Sequence, residues 1–141
     1  MTSAELENLI RIGKLKREPP SRREFDGLLL SGTARLTDAA NTELALESRF
    51  DLAYNASHAL ALAALRRLGY RSGNRHLVFQ ALAHTANLPA SVWRVLSMCH
   101  ERRNLAEYEG IVDVDERLVA DLVSAAKALL DALCTLPPPG E

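Results

Sequence analysis

The sequence predicts an all-α fold, an up-down bundle of five to six helices joined by short connections. Three observations predict it. Apolar residues recur in alternating steps of four and three, as in Leu118, Leu122, Ala125, Leu129 and Leu133. Capping signals, a Ser, Thr or Asp followed three residues later by Glu, stand ahead of several such runs. Leu and Ala carry most of the apolar content, aromatics make up only 5%, and no alternating strand pattern is present.

Taken in order, Thr2 with Glu5 opens a first helix whose apolar side is Leu6, Leu9 and Ile10. Lys14-Leu15-Lys16-Arg17-Glu18-Pro19-Pro20 ends it, because two prolines cannot continue a helix. The run reads as a solvated connector; its basic residues also have the chemistry to touch phosphate. Ser21 with Glu24 opens the second helix, which carries Phe25, Leu28, Leu29, Leu36 and Ala39. Ser31-Gly32-Thr33 predicts a kink or break in its middle.

The third helix, about Thr42 to Leu68, is Ala-rich nearly all round. Small side chains let neighbouring helices approach closely, so it belongs at the centre of the bundle. Asp51, Asn55 and His58 follow helical spacing along one side, with Tyr54 beside them. Polar groups in an apolar helix need partners, so these four line a site or form an internal hydrogen-bond network. Gly69 to Asn74 is a turn, and a short helix with Leu77, Val78, Ala81 and Leu82 comes next. Asn87 is a candidate cap with Pro89 in the next first turn, and the fifth helix then runs from Trp93 to a stop at Gly110. Asp113 with Glu116 caps the last helix, and Pro137 to Gly140 is a flexible tail. The expected division is one domain over 1–141: helix and linker 1–20, bundle 21–134, tail 135–141.

With 141 residues, 48% hydrophobic and 25% charged, the chain reads as a soluble globular domain. A net charge of -1 excludes a global basic field for nucleic acid, so any such contact is local. The longest apolar run, Ala59 to Leu65, is far too short for a bilayer, and the polar, acidic start is no signal peptide. A cytoplasmic protein with no membrane role is expected. Cys99 and Cys134 sit in helical patterns without CxxC spacing and read as buried, reduced thiols. No metal or cofactor motif is present.

The chemistry is concentrated in Cys99 to Gly110, where five charged side chains, a His, an Asn and a Tyr fill the end of a helix that began as core. Counting from Val92 in steps of four and three gives Leu96, Cys99, Arg103 and Ala106. Arg103 therefore falls on the core-facing stripe, where a charge is costly without a partner or ligand. Glu107 is its i,i+4 partner, and Arg102 has no acidic counterpart at the same spacing. An Arg fork beside Asn104, Tyr108 and His100 suits a phosphate clamp, and an ordinary surface ion pair is the alternative.

Arg103-Asn104-Leu105-Ala106-Glu107-Tyr108 resembles the signature of HEPN domains, helical bundles of toxin-antitoxin and RNA-cleaving defence systems. That signature is an Arg, then a polar residue such as Asn, with a His four to six residues beyond the Arg. Phe50 to Leu60 resembles the Ala-rich, Tyr- and His-bearing helix of the family, followed, as there, by an apolar run and a Gly turn. The resemblance covers about residues 45 to 133. It implies a homodimer with a shared cleft and metal-independent RNA cleavage, in which the ribose 2′-OH attacks the adjacent phosphate. It also implies a nucleotidyltransferase-like antitoxin partner. Tyr108 stands where the His would be, and a phenol with a pKa near 10 is a poor base at pH 7. The expectation is thus a HEPN-like dimer that binds RNA or nucleotide phosphate through Arg103, Asn104 and Tyr108 without efficient nuclease activity. The alternatives are an active ribonuclease using Tyr108, Glu107 or His100, and a structural module. Arg102, Asp51, Tyr54, Asn55 and His58 are the expected lining.

Overall fold

The computed structural model describes residues 4–110 and 113–140. Among these run α1 (Ala4–Arg11), β1 (Lys16–Arg17), α2 (Arg22–Ala39), α3 (Leu46–Arg67), β2 (Tyr70–Arg71), α4 (Arg75–Gln80), α5 (Leu82–Thr85), α6 (Ala90–Glu109) and α7 (Glu116–Thr135). The all-α bundle holds. It has seven helices among the described residues, because the pattern from Leu77 to Leu82 divides at Ala81 into α4 and α5.

As its Ala content predicts, α3 is the axis, packed against α2, α4, α5, α6 and α7. Phe50, Tyr54, Leu60 and Leu65 are buried along it, with five alanines filling the positions between. Each fully buried Leu or Phe contributes about 1.5–3 kcal/mol of transfer free energy, so α3 anchors the core. The expected break in α2 is absent: the helix runs through Gly32. Gly32 is instead buried, and a Cβ there would lie 2.8 Å from the Leu60 side chain. Its role is close approach of α2 to α3.

The connector is solvent-exposed except at Leu15, as expected, yet it is fixed in place. Leu15 is buried, and Lys16 and Arg17 pair antiparallel with Arg71 and Tyr70, a strand ladder the sequence does not signal. Glu18 N–H donates to Gly69 C=O at 3.0 Å, extending the attachment. Beneath it Arg66, only 2% exposed, donates to Glu24 at 2.6 Å and to the carbonyls of Glu18 and Pro19 at 2.9 and 2.7 Å. Arg71 also binds Glu18 and Glu24, while Glu7 accepts from Tyr70 and Arg17. The helix α1 stops at Arg11, ahead of the prolines, and this network holds the segment in between.

Capping agrees with the sequence in part. Ser21 accepts from Glu24 N–H at 3.2 Å, but the Glu24 carboxylate goes to the two arginines rather than back to the cap. α3 starts at Leu46 rather than Thr42, because the Asn41 side chain takes the Glu43 N–H into a local turn. Asp115, not Asp113, caps α7, accepting from Leu118 N–H at 2.8 Å. Pro89, not Asn87, stands at the cap of α6, and Asn87 takes a left-handed φ of 53°. Gly110 ends α6 with φ 80°, as a C-terminal glycine stop requires. Thr2 lies outside the described residues. Cys99 is buried with its thiol pushed up to about 12 by burial, whereas Cys134 is exposed.

Candidate functional site

Where α6 crosses the N-terminal half of α3, aromatic and cationic side chains from three helices meet. α3 supplies Tyr54, buried to 1%. α6 supplies His100, Arg103 and Asn104, which its helical repeat places within one turn. The short α4 supplies Arg75, His76 and Phe79, positioned because Asn74 caps that helix through Leu77 N–H at 3.1 Å.

His100 is at the centre. Its Nδ1 lies 2.8 Å from the Tyr54 hydroxyl, and the Asn104 amide donates to Nε2 at 3.2 Å. With Nε2 accepting, the ring proton sits on Nδ1 and points at the Tyr54 oxygen. The ring also packs on His76, Phe79 and Tyr54 with centroids 5.7, 5.9 and 6.1 Å away. Burial, then the neighbouring His76 and Arg75, hold its pKa below the usual value, so it is neutral at pH 7.

The Arg103 guanidinium lies 5.2 Å from the centre of the Tyr54 ring, and that of Arg75 lies 5.6 Å from it. Both are within cation–π range. Arg103 is not in the core, as its register predicts, but at its rim. The apolar stripe leaves the interior after Cys99, and the Arg103 side chain remains 32% exposed. The expected pair with Glu107 forms at 3.1 Å, between groups too exposed for it to stabilise the fold much.

The other sequence candidates separate. Tyr108 is 89% exposed and makes no hydrogen bond among the described residues, so it stands apart from His100. Arg102 donates to the Asp113 carbonyl at 2.9 Å, tying α6 to the segment before α7. Asp51 lines an open depression of about 300 Å³ beside Arg103, together with Glu47 and Glu107. Asn55 donates to the Asp51 carbonyl one turn back, a local bond. His58 packs edge-on against Phe79, and burial lowers its pKa to about 4, with Arg75 and His100 adding repulsion. It belongs to the same aromatic cluster through Phe79. The expected chain of Asp51, Asn55 and His58 is therefore not one hydrogen-bonded network: of these polar candidates and Tyr54, only Tyr54 turns fully inward.

Nothing in the sequence singles out Arg75, His76 and Phe79. The one signal is a basic pair just after a glycine turn, which periodicity alone does not aim at a site.

The arrangement offers two guanidinium forks and an amide at a half-exposed edge, backed by a neutral His. Among the described residues no group of three or more His, Cys, Asp or Glu is placed to hold a metal ion. Comparison of the chain with protein-family models, with curated proteins and with solved structures yields no match.

Proposed function

We propose that the chain binds RNA or a nucleotide by its phosphate at the Arg103–Asn104 edge, as a HEPN-like homodimer without efficient nuclease activity. The observation that carries this reading is the convergence of Arg103 and Arg75 on the one ring of Tyr54. Cation–π packing holds a guanidinium plane in place, and the Arg103 N–H groups that Glu107 does not take are left for phosphate oxygens. Direction matters, because the depression beside Arg103 carries Glu47, Asp51 and Glu107 and repels an anion. The phosphate therefore approaches from the side of Asn104 and Arg75.

Binding is favoured over cleavage by the state of the candidate bases. His100 is only 8% exposed and both ring nitrogens are engaged, which keeps it from a ribose hydroxyl. The Tyr108 phenol is in solvent. A homodimer is supported by the outer face of α6, where Met98, Leu105 and Tyr108 are 40, 56 and 89% exposed at steps of seven and three.

The test incubates labelled RNA with wild type and Arg103→Ala in EDTA. Intact RNA, with binding weakened by the substitution, is the expected result. EDTA-resistant cleavage lost in the variant would establish a metal-independent ribonuclease instead. Neither binding nor cleavage would leave a structural module. A monomer in sedimentation at micromolar concentration would remove the shared cleft. A nucleotidyltransferase-like protein encoded next to this chain would add the toxin-antitoxin role.

A further inference from the structure

A second concavity adjoins the start of α4. The turn after α1 and the turn between β2 and α4 face each other across a cleft of about 540 Å³, lined by Lys14, Lys16, Arg71, Ser72 and Asn74. Its walls are held by backbone bonds. Gly13, at φ 79°, turns the chain out of α1, and the strand ladder sets Lys16 opposite Arg71.

Its charge is one-sided. Arg71 is balanced by Glu18 and Glu24, and Arg17 by Glu7. Lys14 and Lys16 have no ion pair among the described residues, and no carboxylate lines the cleft. The polar side chains are donor-rich as well. Ser72 Oγ accepts from Asn74 N–H and Asn74 Oδ1 accepts from Leu77 N–H, at 3.1 Å each. Both acceptors are thus used locally, which leaves the Ser72 O–H and the Asn74 amide N–H free to donate. Two unbalanced ammonium groups and two spare donors make an environment for phosphate oxygens. The volume is that of a small-molecule pocket rather than of one phosphate.

We propose that this cleft holds the backbone of a single RNA strand whose further phosphates reach Arg103. The proposal takes its ligand class from the phosphate reading of the Arg103 edge and gives that ligand a length and a path. Asn74 lines the cleft, and the next residue, Arg75, already reaches Tyr54. The two sites therefore meet at the first turn of α4. A strand leaving Arg103 on its non-acidic side passes Arg75 and arrives at Lys16 and Lys14.

The test measures anisotropy of a short labelled single-stranded RNA at several salt concentrations, for wild type, Lys14→Gln/Lys16→Gln and Arg103→Ala. Circular dichroism checks the fold of each, and both lysines are exposed, so the double variant keeps the core intact. Expected for the double variant is binding about tenfold weaker, with the salt slope reduced by about 1.4 for two lost contacts to a single strand. RNA binding equal to wild type in the double variant overturns the proposal, whatever Arg103→Ala does. Binding lost in the lysine variant but unchanged in Arg103→Ala supports the cleft while removing the Arg103 reading. Pyrophosphate binding that depends on the lysines, without RNA binding, overturns the strand and leaves a free phosphoanion as the ligand.

Discussion

The hydroxyl of Tyr54 and Nδ1 of His100 meet at 2.8 Å, although 46 positions separate them in the chain. This bond joins α3 to α6 inside the candidate site and receives the Nδ1 proton that the Asn104 contact at Nε2 assigns to His100. In Tyr54→Phe the ring, its packing and its cation–π contacts remain, and only the partner of Nδ1 is lost. An unsatisfied buried donor costs about 1–3 kcal/mol, which chemical denaturation will read as a lower midpoint at unchanged slope. Phosphate binding should survive the change. An unaltered midpoint would show that the bond contributes nothing.

Two histidines, the buried His100 and the half-buried His58, make stability depend on acid. His58 and His100 both have folded pKa values below that of an unfolded imidazole, His58 at about 4, with burial as the first cause. Between the folded and unfolded values the unfolded chain binds more protons, so stability rises with pH. It is complete above about pH 6.5, the unperturbed imidazole value, and declines below it. For His58 the decline continues to about pH 4. In His58→Gln, thermal melts across this range should show a shallower decline. A decline as steep as in wild type would rule out His58 as a contributor.

Two glycines of α2 should respond in opposite directions. A Cβ on Gly32 meets Leu60 at 2.8 Å inside the core, whereas a Cβ on Gly27 meets nothing within 4 Å. Gly27→Ala should stabilise by up to about 1 kcal/mol through helix propensity. In Gly32→Ala that same gain is outweighed by overpacking of about 1–3 kcal/mol. Equal shifts in the two unfolding midpoints would mean that the α2–α3 approach has room to spare.

Arg66 fastens the N-terminal segment to the bundle. Its removal leaves several carbonyls short of a donor and the part-buried Glu24 carboxylate with Arg71 alone, a loss of about 1–3 kcal/mol. In Arg66→Met the segment Lys14 to Arg17 should become the first site of trypsin cleavage under native conditions. Arg66→Lys should rescue only in part, because an ammonium cannot reproduce the guanidinium fork. Wild-type resistance to trypsin in Arg66→Met would place the attachment elsewhere, in Leu15 or the strand ladder.

Much of the bundle is legible along the chain. The stripes of α3 and α7, the Ser21 cap and the Gly110 stop are local: each depends on residues within one or two turns, so spacing reveals it. Gly32 shows where that reasoning ends. Helix propensity reads it as a weak point, but the deciding fact is the distance to Leu60 on another helix. The basic connector is a similar case, since its order comes from pairing with Tyr70 and Arg71 more than fifty positions away.

At the candidate site the same division holds. Spacing and resemblance pick out Arg103 and Asn104, and helical register places His100 beside them. That Arg75 shares Tyr54 with Arg103, and that His100 is enclosed while Tyr108 is left in solvent, comes from how α4 and α6 cross α3. A one-dimensional repeat states which side chains share a face of one helix. Which face meets which neighbour, and where a stripe leaves the core, is set by the packing of whole helices, in which every close contact joins residues distant in sequence.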